Sequence, residues 1–325
     1  RIAPVLPDDR KNYLFHPVKE EKVRQDGSYK KNAVFVPVGK DSLHRQLLKG
    51  DADFDLHLLI YDGSYSKFCN DTDFIACDAG YKMDMTYRYL HRHPDLLDKY
   101  EYIFLMDDDI EMSTEEVNKL FGIMKQYHLR IAQPSLVMSY YTYRHTANHP
   151  LCILRYTNFV EMMIPCFSKE ALLLVLPTFQ KKIRGCGIEM HWPKLINANH
   201  KEIAVIDAVH AKHIRPLHLW TQEDQNTMSE YLKDQKLTWN IEEYESVLLE
   251  KSEIKACQKQ SFDELRIIYV KLRQYFLKSK SGLFNLTDIL FLVGFLKDYA
   301  GLWNDKTSFD LAEKLSKIVT KLNKF

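Results

Sequence analysis

Residues 102–112 read YIFLMDDDIEM, an apolar run that ends in three adjacent acids, Asp107, Asp108 and Asp109. Carboxylates this close repel one another, so the cluster needs a cation or hydrogen-bond donors to be tolerated. In an extended strand side chains alternate, which lets Asp107 and Asp109 face one way and share an ion. Mg²⁺ and Mn²⁺ take oxygen ligands and hold phosphates at the same time. The expected chemistry is a metal-bridged diphosphate, with Asp107 and Asp109 as metal ligands and Asp107 and Asp108 beside the bound donor. The plain alternative is a solvated turn that caps the helix starting near Thr114.

Other polar residues follow strand-like runs in the same way. PVGKD (37–41) offers Gly39 in a turn, YDG (61–63) offers Asp62, and AGYK (79–82) offers Lys82 at a helix start. Together they make a row of loops that a nucleotide site requires. Singly, Gly39 and Gly63 read as turn residues and Lys82 as a solvated one. RGCGIEMHW (184–192) places Glu189 after Gly185 and Gly187, whose missing side chains allow close approach of a ligand. A carboxylate there can act as a general base; the alternative is an acid at a helix start, stabilised by the dipole. IDAVHAKHIRP (206–216) supplies His210 and His213, either of which could be a third metal ligand. TYRHTANHP (142–150) adds Arg144, His145 and His149 without positional support.

The elements that must position these residues form two textures. Runs such as AVFVPV (33–38), DLHLLIY (55–61), DFIACD (73–78), EYIFLMD (101–107), RIAQPSL (130–136), FVEMMIPCF (159–167) and EIAVIDA (202–208) read as strands. KMDMTYRYLHRH and STEEVNKLFGIMKQYH read as helices between them, the second opening on a Ser113/Glu116 capping box. This alternation predicts an α/β domain over 32–219, a mostly parallel twisted sheet with helices on both faces. Residues 1–31 are polar and read as a surface arm. Residues 220–325 read as an all-helical C-terminal domain, with no Gly or Pro between Pro216 and Gly282.

The 45 Lys+Arg and 44 Asp+Glu give a net charge of +1, so no global field points to nucleic acid. The six cysteines form no C-x-x-C pair, which favours a reducing compartment and a cytoplasmic location. LFNLTDILFLVGFL (283–296) is too short for a membrane span and carries Asn285 and Asp288. It reads as a buried helix, with peripheral membrane contact as the alternative.

The segments VFVPVGKD, LLIYDG, KYEYIFLMDDDIE, IAQPSL, FVEMMIPCFSKEAL, GCGIEM and VIDAVHAKH, in this order, resemble the domain-of-unknown-function family seven-oh-seven. That family occurs in plants and bacteria and is similar to glycosyltransferases of the A-type (GT-A) fold. The resemblance covers roughly 32–217, and the acidic triplet and FVEMMIPCFS are its most specific parts. It implies a metal role for Asp107 and Asp109, with Asp108 at the variable middle position. It carries Lys82 over as the lysine before a helix. Gly187, Ile188, Glu189 and Met190 match a Gly-x-acid-Met stretch in which Asp is commoner than Glu. Asp207, Ala208 and His213 match an Asp-Ala…His stretch, which favours His213 over His210. By fold analogy, the expected activity is transfer of a sugar from a nucleotide-sugar donor to a hydroxyl of a carbohydrate or glycoconjugate acceptor. It would use Mn²⁺ or Mg²⁺, with Glu189 as base and inversion at the sugar carbon. Synthesis of a surface polysaccharide or glycoconjugate is the expected setting. A catalytically silent carbohydrate-binding scaffold and a metal-dependent phosphohydrolase are the competing expectations.

Overall fold

A computed structural model describes residues 21–24, 26–137, 139–140, 143–149, 152–181, 187–216 and 221–249. The strands are β1 Glu21–Lys22, β2 Asn32–Val38, β3 Phe54–Ile60, β4 Phe74–Cys77, β5 Tyr102–Leu105 and β6 Ile110–Glu111. They continue with β7 Ile131–Leu136, β8 Cys152–Thr157, β9 Cys166–Ser168, β10 Ile203–His213 and β11 Glu243–Leu248. The helices are α1 Tyr65–Phe68, α2 Lys82–Arg92, α3 Thr114–Gln126, α4 Lys169–Val175, α5 Trp192–Leu195 and α6 Gln222–Asp234. The chain divides into two compact units, residues 1–148 with 153–247, and residues 149–152 with 248–325. The first holds the sheet, and nearly all of the second lies outside the described residues. Among the described residues no helix is long and apolar enough to cross a membrane.

The sheet runs β1-β4-β3-β2-β5-β9-β7-β10-β8-β11, with β6 paired to β10 beside this path. Every residue of β2 and β3 is buried, the pattern of strands covered on both faces. Alternate residues of β2 enter different cores. Val34, Val36 and Val38 pack with Val117, Leu120 and Phe121 of α3 on one face. Ala33 and Phe35 pack with Met83, Tyr87 and Leu90 of α2 and with Leu172 of α4 on the other. The α/β class therefore holds, with helices on both faces. β2, β3, β4 and β5 pair in parallel, as do β7 and β10. The expectation of a mostly parallel sheet gives way at β9, which runs antiparallel to both β5 and β7.

Three local expectations change. FVEMMIPCF is a strand only from Cys166. Upstream, Leu105 N and Asp107 N still donate to the Pro165 and Met163 carbonyls at 2.9 and 3.1 Å, while the Met162 and Met163 carbonyls also accept from Lys82 Nζ and Glu161 N donates to Gln133 Oε1 at 2.6 Å. Glu243–Leu248, expected as helix, is strand β11, and its Tyr244 and Val247 pack against the core. Glu21–Lys22 of the expected surface arm pairs with β4. Arg24 then bonds Asp73 and Asp55, tying that segment to the sheet edge. Residues 1–20, the apolar run 283–296 and the rest of the expected helical domain beyond 249 lie outside the described residues. The capping expectation holds by half. Ser113 Oγ accepts from Glu116 N at 3.2 Å, but the Glu116 carboxylate accepts from His210 N at 2.8 Å instead.

β10 carries the irregularity that matters most. Its register against β7 shifts between Ile206 and His210, so Asp207 leaves the regular ladder. Arg155 of β8 meets it with two bonds, Nε to Oδ2 at 2.8 Å and Nη2 to Oδ1 at 3.1 Å, both side chains being buried. Arg155 Nη1 also reaches Glu243 of β11 at 2.6 Å. One guanidinium thus joins β8, the β10 bulge and β11. Removing one member of a buried pair leaves the other without its counter-charge and costs about 3–5 kcal/mol. Arg155→Met should lower unfolding free energy by that amount in urea titration. A loss under about 1 kcal/mol would show that the pair does not hold the bulge.

Candidate functional site

The acidic triplet sits where β5 stops, between β2 and β9 in the sheet. This is the carboxyl edge of the parallel strands, where ligands bind in open α/β sheets. Asp107 follows Met106 there, and its Oδ1 lies 2.6 Å from Lys82 Nζ at the start of α2. The ammonium also donates to the carbonyls of Met162 at 2.7 Å and Met163 at 2.6 Å. Burial pushes Lys82 down and Asp107 up, against the attraction between them. Lys82, expected beside donor phosphates, instead has its donors engaged by Asp107 and by the Met162 and Met163 carbonyls.

Asp108 points the other way and is buried. Its Oδ2 accepts from Tyr61 Oη at 2.9 Å and from Gly39 N at 3.3 Å, and its Oδ1 accepts from Arg215 Nη1 at 3.1 Å. Gly39 leaves room for the Tyr61 ring. A Cβ at this position would lie 2.6 Å from Tyr61 Cζ, so the ring lies on bare backbone. Neither Tyr61 nor Arg215 stands out in the sequence. Tyr61 reads as the end of a strand, and Arg215 falls just after the His210/His213 pair.

Asp109 is held by β6 and β10. Their antiparallel pairing sets His213 opposite Ile110, and His213 Nε2 lies 3.1 Å from Asp109 Oδ2. The other ring nitrogen lies 3.0 Å from the Tyr140 carbonyl. Burial opposes charge on both groups, but their contact outweighs it, lowering the Asp109 carboxyl and raising the His213 imidazole. The two histidines differ in their surroundings. His213 meets the cluster, while His210 is exposed and its N–H goes to Glu116 of α3.

Glu189 lies in a 3₁₀ turn, Ile188–Met190, entered through Gly187 at φ +112°, a conformation that favours glycine. Its Oε2 accepts from Gly187 N at 2.7 Å, and Oε1 is buried with no hydrogen-bond partner among the described residues. Burial pushes the carboxyl up to about 8, with the nearby Glu161 charge adding to the shift. The Glu161 charge also favours the charged form of Lys82. α6 backs the turn. Met228 lies against Gly187, and Tyr231 Oη lies 2.8 Å from His191 Nδ1. Gly185 lies outside the described residues.

The remaining candidates serve local structure. Asp62 is exposed, accepts from Ser64 N of its own turn at 2.9 Å and from Lys40 N at 2.8 Å, and so ties the turn after β3 to the turn after β2. His145 packs edge-on to Phe159, and burial with the nearby Arg155 charge lowers its pKa to about 4. His149 lies beside Cys152, its Nδ1 3.2 Å from Sγ. Arg144 starts a short 3₁₀ turn and is exposed.

Each carboxylate of the triplet has its own basic partner: Lys82 for Asp107, Arg215 for Asp108 and His213 for Asp109. Asp107, Asp109 and His213 have the right chemistry for Mn²⁺ or Mg²⁺. As arranged, Lys82 holds Asp107 Oδ1 and His213 holds Asp109 Oδ2, so an ion bound here would compete with both bases for the carboxylates. Among the described residues no three His, Cys, Asp or Glu side chains converge on one point.

The chain matches the family described as "Protein of unknown function (DUF707)" over residues 8–151 and 142–260, and it belongs to that family. No curated protein matches it. Among solved structures it is similar to GalNAc-T7 with UDP, GalNAc and Mn²⁺, at TM-score 0.45 and 9% identity. That alignment covers 64% of this chain and 48% of the other, so the chain spans about half of that structure's length. Residues 1–349 of S. aureus TarS align at TM-score 0.45 and 12% identity, over 84% of this chain and 80% of that one.

Glu189 allows a pH test that needs no substrate. A carboxyl raised from 4.5 to about 8 in the folded chain holds a proton that the unfolded chain releases. Stability contributed by the neutral form is therefore lost progressively as pH rises from 4.5 to about 8. Glu189→Gln keeps the acceptor for Gly187 N and removes this loss. Its advantage over the wild type should be absent at about pH 4 and grow to at most a few kcal/mol by about pH 9. Parallel stability curves over that range would show that Glu189 titrates as an ordinary carboxyl.

Proposed function

We propose that this protein transfers a sugar from a nucleotide-sugar donor to a hydroxyl of a carbohydrate or glycoconjugate acceptor, inverting the sugar carbon. The observation that carries this reading is the Asp107–Asp109 cluster with its three basic partners at the carboxyl edge of the sheet. A cluster whose charges are already balanced can receive a dianionic diphosphate beside Arg215 without a large repulsive cost.

In the transfer, the acceptor oxygen forms a bond to the sugar carbon while the carbon–oxygen bond to the diphosphate breaks. The electron pair of that bond leaves with the diphosphate, and the acceptor proton passes to Glu189. The base must be ionised. With its pKa near 8, activity should rise as pH approaches and passes that value. Glu189→Gln cannot accept the proton and should lose roughly 10²–10⁴ in turnover while keeping near-normal donor affinity. Turnover within a few-fold of the wild type, or retention of configuration in the product by NMR, would remove Glu189 from this role.

Glu189 is only 1% exposed. That burial favours a second reading, a carbohydrate-binding scaffold that keeps the fold without transfer. The two part on a single assay, release of nucleoside diphosphate from a panel of nucleotide sugars with an acceptor present. The metal question has its own measurement. Because each carboxylate has a protein partner, nucleoside diphosphate affinity should differ by less than about tenfold between Mn²⁺ and a chelator. A larger loss in chelator would place a divalent ion on Asp107 and Asp109.

A further inference from the structure

Asp108 has hydrogen-bond partners on both of its oxygens, so it has little capacity to bind a donor itself. What it does is hold two half-exposed groups side by side. Tyr61, 42% exposed, donates its hydroxyl to Oδ2 at 2.9 Å. Arg215, whose side chain is 39% exposed, donates Nη1 to Oδ1 at 3.1 Å and Nη2 to the Asp41 carbonyl at 2.9 Å. Arg215 is close enough for its charge to be felt by the Tyr61 phenol. Lys82 and His213, the other basic groups of the cluster, are buried.

We propose that Tyr61 and Arg215, fixed by Asp108, form the recognition subsite for a nucleoside diphosphate, the ring stacking on the base and the guanidinium binding the diphosphate. This rests on the transferase reading and specifies its donor side. The Tyr61 ring lies on Gly39, where a Cβ would collide with it, so that face is covered by backbone and the ring remains half exposed. A flat aromatic face of this kind stacks on any base and selects for the nucleoside part of the ligand. Arg215 has five N–H donors and uses two on Asp108 and Asp41. Three are left without a hydrogen-bond acceptor among the described residues. A planar guanidinium with spare hydrogens suits phosphate oxygens, which it can bind in pairs. Anchoring by Asp108 and Asp41 fixes its orientation before a ligand arrives, which lowers the ordering cost of binding. Asp108 is a positioning residue in this arrangement.

The test is calorimetric titration of the full chain with UDP, ADP, GDP and CDP in turn, and with inorganic pyrophosphate. Wild type should bind at least one nucleoside diphosphate more tightly than pyrophosphate. Tyr61→Leu should weaken that nucleotide by roughly tenfold or more and leave pyrophosphate unchanged. Tyr61→Phe, which keeps the ring, should stay within about threefold of wild type. Arg215→Met should weaken nucleotide and pyrophosphate alike, by roughly ten- to a hundredfold, and Arg215→Lys should recover only part of the loss. Far-UV circular dichroism of each variant excludes loss of fold as the cause. If wild type binds no nucleoside diphosphate, the transferase reading falls and the subsite with it. If wild type binds and both Tyr61→Leu and Arg215→Met retain full affinity, the subsite is wrong while the transferase reading stands.

Discussion

Three carboxylates on consecutive residues at a strand end set the constraint to which the rest of the site responds. Unpaired, such charges at a largely desolvated sheet edge would cost several kcal/mol each. The fold brings a separate basic group to each one, and none of these comes from the same element as the acids. Lys82 comes from the start of α2, while His213 and Arg215 come from the end of β10 and the residues just after it. β6 fixes this arrangement by pairing with the end of β10, which sets His213 beside the acids and brings the chain on to Arg215.

Neutralisation also shapes the backbone around the cluster. Lys82 needs more acceptors than Asp107 alone can offer, and it takes them from Met162 and Met163. The Met163 carbonyl also accepts from Asp107 N at 3.1 Å, so the segment leading into the antiparallel strand β9 holds both the backbone of the acidic cluster and its buried ammonium. On the opposite side, Asp108 ties the turn after β2 to Tyr61 and Arg215, so the loops of the carboxyl edge are linked to each other through a single carboxylate.

Glu189 illustrates a different balance. Its turn depends on Gly187 adopting a backbone conformation that other residues reach only with strain, and on α6 packing against it. α6 begins beyond the part of the chain whose motifs carry the resemblance, yet it lies in the same compact unit as the sheet. The region after Leu219 therefore contributes directly to the surroundings of the candidate base. A carboxyl raised to about 8 by burial is suited to exchange a proton near neutral pH, and the same burial restricts what can reach it.

Much of the frame was determined by the sequence alone. β2, β3, β4, β5 and β7, together with α2 and α3, lie close to where hydrophobic period and capping place them, because those signals are local. The acidic strand end and Glu189 after its glycines stand out for the same reason, as short stretches whose residue types suggest their chemistry, whereas between His210 and His213 it is the family resemblance that favours the second. Only the tertiary structure decided which basic group meets which acid. Arg215 and Asp108 are 107 positions apart and Lys82 and Met163 are 81 apart, and no local pattern encodes either contact. Tyr61 reads as a strand end and Arg215 draws no reading at all until one buried carboxylate brings them together. β8, β9 and β11 were missed or misplaced on similar grounds, since their identity as strands depends on distant partners.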